Sequence, residues 1–508
     1  MNASNFDLLP QDRHNQTLME NVHPSDWQNP EPAPMYNLVV LGAGSAGLIS
    51  AIATAGLGGK VALIERHLMG GDCLNVGCVP SKSVIRPARL ASEMKSAADF
   101  GLTASDVRKE DFSRVMERMR RLRASFSPDD SAERYTNQGV DVFLGEGQFT
   151  GPDTVAVEGS TLHFKKAVIA TGARAVHPDL PGLEQTGFRT NETIFNLTER
   201  PDHLIVLGGG PIGCELAQAF RRLGSAVTII ARSDFLSKED PEASALLAQI
   251  FEREGIEVLR HAAVLQVEKT AAGRSRVVVK VDDQERVVEG DEILVGAGRA
   301  PNVDGLGLEK AGVKYDPQLG VSVNDRLQTA NKNIYAAGDC CMMYKFTHAA
   351  DAAAQIVVQN ALFGGRKKLS DLTMPWCTYT DPEIAHVGLY QREAWARGFQ
   401  TETFRFNLSD NNRAEMDGED DGFVKILVPK GKDKILGATI VASHAGDLIS
   451  EISVAMAAGM GLSGLAGVIH PYPTQAEAIK GAATNWRKTR LTPLVARLLR
   501  GWLAFQRR

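Results

Sequence analysis

The sequence predicts an α/β chain organised round two copies of one β-α-β unit, and three observations predict it. The apolar run Tyr36-Asn-Leu-Val-Val-Leu41 leads into Gly42-Ala-Gly44-Ser-Ala-Gly47 and an Ala-rich helical stretch. The run His203-Leu-Ile-Val-Leu207 leads into Gly208-Gly-Gly210-Pro-Ile-Gly213 and a second helical stretch. Each helix is followed by another β-run, Lys60-Val-Ala-Leu-Ile-Glu65 and Ala226-Val-Thr-Ile-Ile230. At 508 residues the chain has room for three or four domains and a large core without disulfide staples.

In each copy G-x-G-x-x-G stands between a strand and a helix, the context its chemistry requires. The first glycine permits the turn and the second lets the backbone approach a pyrophosphate. The third lets helix and strand pack closely. Two such units predict two dinucleotide sites. The residue closing the second strand separates them. In the first copy it is Glu65, an acceptor for a ribose diol. In the second it is Ala231, followed by Arg232 and then Lys238, which suits a 2′-phosphate and favours NADP over NAD.

Composition narrows the class. The chain is 44% hydrophobic and 23% charged, which excludes a disordered, collagen-like or coiled-coil protein. A net charge of −5 gives no basic field for nucleic acid. Six cysteines are too few for a secreted disulfide scaffold, so a reducing, cytoplasmic setting is expected. Leu38 to Gly59 is uncharged, but its glycines mark strand, turn and helix read end to end rather than a membrane helix. The N-terminus lacks a basic region followed by an apolar one, so no signal peptide is expected, and residues 1–35 read as a polar arm.

After the first unit comes Gly70-Gly-Asp-Cys73-Leu-Asn-Val-Gly-Cys78-Val-Pro-Ser-Lys82. Zinc needs about four ligands and no second Cys/His cluster follows at suitable spacing, so no metal site is expected. A dithiol/disulfide couple beside a flavin explains the pair better.

This segment resembles the active-site motif of the class I pyridine nucleotide-disulfide oxidoreductases, the family of glutathione reductase, dihydrolipoamide dehydrogenase and mercuric reductase. The resemblance runs from about residue 36 to about 485. It includes Ala170-Thr171-Gly172, Leu180-Pro-Gly-Leu183, Gly298-Arg-Ala-Pro-Asn302, Ala337-Gly338-Asp339, Tyr379-Thr-Asp-Pro-Glu383 and Pro473-Thr-Gln-Ala-Glu477. It implies two Rossmann-like domains, for FAD and for NAD(P), followed by an α+β dimerisation domain. The expected boundaries are 1–35 arm, 36–186 FAD-binding, 187–302 NAD(P)-binding, 303–371 return to the FAD domain, 372–485 dimerisation and 486–508 tail. FAD is implied at Gly42, Gly44, Gly47, Glu65, Lys82, Thr171, Gly172, Gly338 and Asp339, and NADP at Gly208, Gly210, Gly213, Arg232, Lys238 and Gly298. Cys78 is implied as the thiolate against the flavin and Cys73 as the interchange thiol. Lys82 is implied to pair with Glu215 near the flavin, where a cation lowers a thiol pKa.

Departures from the family pattern bear on the substrate. The family's proton-shuttling histidine, supplied by the partner subunit, aligns with Tyr472, with Glu477 five residues on and His470 two residues earlier. A phenol is a poor proton shuttle at neutral pH. Tyr472 is what mercuric reductases carry, which makes them the nearest subgroup. Yet the tail from Asn485 has no cysteine pair to deliver mercury, Phe188 stands where a second tyrosine is expected, and no N-terminal metal-binding domain is expected. Cys340-Cys341 reads as packing rather than as a metal relay, and so do Cys214 and Cys377. The expected enzyme is a homodimer that passes electrons from NAD(P)H through FAD to Cys73–Cys78 and on to a small thiol, disulfide or soft metal. The alternatives are a dihydrolipoamide dehydrogenase using His470, or a membrane-docked redox sensor. The last is raised by the tail, where Leu494, Val495, Leu498, Leu499, Trp502 and Phe505 share one helical face and Arg497, Arg500, Arg507 and Arg508 the other. Docking on its own dimer is the favoured role for that tail.

Overall fold

A computed structural model describes residues 8–103 and 107–507, and these fall into two compact units. The first comprises Met1–Asp234 and Glu254–Leu372, and the second Phe235–Arg253 and Thr373–Arg508.

The first unit holds both β-α-β units. Strand Tyr36–Leu41 is the centre of a seven-stranded sheet, parallel to Val61–Glu65 on one side and to Ser160–Ile169 on the other. Val140–Leu144 extends the parallel set at one edge, and Ile334–Ala336 pairs with Ser160–Ile169 from late in the chain. The parallel strands are apolar at nearly every position because both faces are covered, one of them by the antiparallel strands Gln148–Gly151 and Thr154–Val157 and the segment that follows Val303. The helix Ser45–Gly56 packs against Thr347–Phe363, both rich in alanine, so the two axes approach closely. The second copy forms a four-stranded parallel sheet in the order Ile256–Leu259, Ala226–Ile230, His203–Leu207, Glu292–Val295. A three-stranded meander, Ala263–Lys269 to Gln284–Gly290, adjoins it.

The second unit is a five-stranded antiparallel sheet in the order Pro375–Thr378, Glu383–Gly388, Gly437–Ala442, Phe423–Pro429, Thr401–Asn407. Its core is formed by residues such as Val424, Ile426, Ile440, Ile452 and Ile479, with Ala445–Ala457 and Glu477–Thr489 supplying helical cover. The α/β class, with two Rossmann-like halves and an α+β third part, is therefore as read from the sequence.

Phe235–Arg253, expected within 187–302, groups with the second of the two compact units. The reason is a buried polar cluster. Glu239 accepts from Tyr390 Oη at 2.5 Å and Trp376 Nε1 at 3.3 Å, and Asp240 pairs with Lys425 at 2.6 Å. The tail forms the helix Pro493–Phe505, capped by the Thr492 side chain, with no residue buried. No described helix is long and apolar enough to cross a membrane.

Candidate active site

Cys73 lies in the short helix Gly71–Asn75, and Cys78 opens the long helix Cys78–Lys95. Gly70, at φ 89°, makes the turn that a side chain would strain and leads the chain into this loop. Both cysteines are thiols. Thr347 Oγ1 lies 3.4 Å from the Cys78 sulfur. The hydrogen bond from Cys73, then that from Thr347, then the charge of Lys82, bring Cys78 down to about 6, against the opposing effect of burial. The same bond from the donor side, with burial, pushes Cys73 well above its ordinary range. Of the two sulfurs, Cys78 is therefore the one favoured as thiolate and Cys73 the one favoured as thiol.

Lys82 stands one turn along the same helix. Its Nζ donates to Glu215 Oε2 at 2.9 Å, and Glu215 is buried in the helix Pro211–Arg222. Four of the expected residues therefore meet in the first unit. An open cleft of about 370 Å³ lies beside them, bounded by Cys78, Lys82, Arg86, Arg118, Leu122 and Phe126.

The dinucleotide residues fit their groups. A Cβ on Gly47 would strike the Gly42 carbonyl and one on Gly213 the Gly208 carbonyl, so these glycines close the turn. Gly210 has open space where a Cβ would be, and Gly44 meets only Gly71 Cα at 3.7 Å. Gly44 and Gly210 cap their helices without any side-chain bond, the arrangement that suits an anion at a helix N-terminus. Glu65 is held by Ala43 N at 2.6 Å and His67 N at 2.8 Å, and burial pushes its pKa up. Each of its oxygens keeps a lone pair for a ribose hydroxyl. Thr171 Oγ1 donates to Asn302 O at 2.6 Å and Asn302 N to Gly172 O at 3.0 Å, which ties two motifs into one loop with Gly298. Asp339, after Gly338, is half-buried 3.5 Å from Arg299 Nε, and desolvation raises its pKa. Ala231 is buried while Arg232 is exposed. Lys238 is exposed in the second unit, its carbonyl bonded by Arg392 Nη2 at 2.6 Å.

Tyr472, Glu477 and His470 form a separate group in the second unit. Tyr472 is 70% exposed and its Oη accepts from Asn412 Nδ2 at 3.0 Å. Glu477 opens the helix Glu477–Thr489. His470 lies outside any strand. The chain is irregular there, and His470 Nε2 is bonded to Glu451 at 2.9 Å with the ring buried. Cys340 is fully buried and donates to Ile169 O and Ala337 O, and Cys341 to Gly338 O. Cys214 is buried inside its helix and Cys377 packs against the second unit's core.

Sequence reasoning missed Thr347 and Arg299. The only sequence signal for Thr347 is a hydroxyl at the first position of a helix. Arg299 is the charged member of Gly298-Arg-Ala-Pro-Asn302 and forms an ion pair with Asp72, the neighbour of Cys73.

The comparisons decide the family. The pyridine nucleotide-disulphide oxidoreductase model matches residues 36–355, and its dimerisation domain matches 374–483. The chain belongs to this family. As a pyridine nucleotide-disulphide oxidoreductase it is an enzyme that uses FAD and NAD(P)H, and the dimerisation domain supports a homodimer. It is 35% identical to a mercuric reductase of Lysinibacillus sphaericus over 454 residues, 89% of this chain and 83% of that one. It is 34% identical to a dihydrolipoyl dehydrogenase of Thermus scotoductus, over 89% of this chain and 98% of that one. Among solved structures it resembles the HOCl-induced flavoprotein disulfide reductase RclA from Escherichia coli. The TM-score is 0.77 and the identity 27%, over 88% of this chain and 99% of that one. The matched domains stop short of the tail helix, and no comparison supports membrane contact.

Proposed function

We propose that the protein is a mercuric reductase-like oxidoreductase that passes electrons from NAD(P)H to the Cys73–Cys78 pair and on to a small disulfide or a soft metal ion. FAD, when bound, supplies the two-electron carrier between nicotinamide and sulfur. Gly44, Glu65 and Asp339 would hold it, and Lys82, paired with Glu215, would lie beside it. The observation that carries the reading is the Lys82–Glu215 pair one turn along the helix that Cys78 opens, with Thr347 against the Cys78 sulfur.

The chemistry of the pair balances. Cys73 attacks one sulfur of a substrate disulfide as its proton passes to Cys78, and the first substrate thiolate leaves. That thiolate takes the proton from Cys78. Cys78 then attacks Cys73, closing the Cys73–Cys78 bond and releasing the second thiolate. Two electrons leave the dithiol and two substrate sulfurs are reduced. Tyr472 and Glu477 of the partner subunit are proposed to border this reaction. A tyrosine there slows proton return, so small disulfides are weak substrates. Two sulfurs also make a soft pair for Hg²⁺.

The dihydrolipoamide dehydrogenase reading needs His470 as the shuttle. Its buried bond to Glu451 counts against that role. Steady-state NADPH oxidation with Hg²⁺, lipoamide, glutathione disulfide and quinones tests the choice. Weak disulfide turnover is expected, and robust lipoamide turnover lost in His470→Ala would overturn it.

A further inference from the structure

Residues 8–35 lie outside the matched family domain, yet they contact the redox loop. Helix Arg13–Val22 is capped by Asp12, whose Oδ1 accepts from His14 N and Asn15 N. Asp12 Oδ2 takes Arg120 Nε at 2.6 Å. Leu18 and Val22 are fully buried. Farther along, Trp27 Nε1 donates to Val142 O at 3.3 Å, and the Asn29 amide bonds both Leu144 N and Leu144 O. The arm thereby covers the outer edge of strand Val140–Leu144, which would otherwise stay open to pairing.

Two contacts reach the cysteine loop itself. Val22 O accepts from Met69 N at 3.1 Å, just ahead of Gly70. Arg123, 1% exposed, donates through Nη1 to Asn75 O at 2.7 Å and through Nη2 to Asn15 Oδ1 at 2.7 Å. Asn75 lies between Cys73 and Cys78. Asn15 Nδ2 donates to Pro10 O at 2.8 Å, which turns its oxygen toward the guanidinium. A buried cation with no carboxylate on either hydrogen-bonded nitrogen depends on these two carbonyl oxygens.

We propose that the arm is a strap, and that Asn15 and Arg123 are positioning residues holding the Asn75 carbonyl so that the Cys73–Cys78 loop favours the dithiol. The proposal rests on the reading of that pair as the redox couple. Disulfide and dithiol demand different loop geometries, because the disulfide tolerates only a narrow range of sulfur and Cα separations. A strap bonded to the dithiol geometry biases the equilibrium toward it, and releasing the strap lowers the pair's potential.

The full-chain holoenzyme is equilibrated in dithiothreitol redox buffers, quenched with a maleimide, and scored by mass for Cys73–Cys78 disulfide. Asn15→Leu removes the acceptor and is expected to favour the disulfide about tenfold, a fall of about 30 mV. Asn15→Asp keeps an acceptor and should titrate as the native protein does. Trp27→Leu loosens the arm away from the loop and should also leave the midpoint in place. An unmoved midpoint in Asn15→Leu overturns the proposal, and so does an equal shift in Trp27→Leu. If Asn15→Leu does not fold, Arg123→Lys, which cannot bond both oxygens in the same fork, is read instead with the same expectation. If the native cysteines never interconvert in the buffer, the redox reading fails rather than the strap.

Discussion

Replacing Thr347 by valine removes one hydrogen-bond donor from the Cys78 sulfur at little cost to the fold, because Thr347 is exposed at the start of its helix. A hydrogen bond to a charged acceptor contributes about 1.5–3 kcal/mol. At 3.4 Å the contact to sulfur is long, so the lower end applies. One pKa unit corresponds to about 1.4 kcal/mol, so Cys78 should rise by about one unit. From about 6 it would move to roughly 7, and the thiolate fraction at pH 7 would fall from roughly nine-tenths to about half. The sign follows from a depressed pKa. The thiolate is present above the midpoint and lost as pH falls through it. The assay is a pH titration of the long-wavelength thiolate-to-flavin absorbance in the two-electron-reduced holoenzyme. Cys78→Ser should abolish the band and Cys73→Ser should retain one. Thr347→Ser keeps the donor and should titrate near the native midpoint. A valine variant with the native midpoint, or a serine variant shifted as far as valine, would refute the hydrogen-bond account.

Arg232→Glu is expected to raise KM for NADPH about tenfold more than for NADH, since it turns an exposed cation after the second Rossmann strand into an anion. Equal changes for the two cofactors would place the 2′-phosphate elsewhere. Tyr472→His restores an imidazole at an exposed position and should raise lipoamide or glutathione disulfide turnover, by up to about 10²-fold. Unchanged rates across both substrates would show that the phenol is not the limit. Hg²⁺-dependent NADPH oxidation should be slow and inhibited as metal accumulates, because no cysteine pair in the tail hands the ion over. Uninhibited Hg⁰ release in excess thiol would show that delivery has another route, and its loss in a Cys340/Cys341 double alanine variant would assign it to that pair.

The two glycine fingerprints were legible because their demands are local. Gly42 and Gly208 need positive φ, and Gly47 and Gly213 need space against a carbonyl a few residues away. Both constraints live within one turn of chain. Alternation from apolar runs to Ala-rich helices likewise dictated the α/β class, since strands covered on both faces cannot carry polar residues. The cysteine loop was legible as a motif, and Glu215 only through the family resemblance, because 133 residues separate it from Lys82.

What tertiary structure alone decided lies at long separation and in side chains that carry no motif. Thr347 reaches Cys78 from 269 residues away, and a single hydroxyl has no periodicity to betray it. Asn15 reads as one polar residue in a polar arm until folding sets it against Arg123, 108 residues on, and buries both. His470 looked like a substitute shuttle by spacing, and only its bond to Glu451 showed where the ring is held. The allegiance of Phe235–Arg253 turned on Glu239 and Asp240 finding Tyr390, Trp376 and Lys425. Burial pairs a charge with whatever the fold brings near, and sequence order does not contain that list. The sequence therefore determined the backbone scheme and the reactive atoms. The packed chain determined their hydrogen-bond partners.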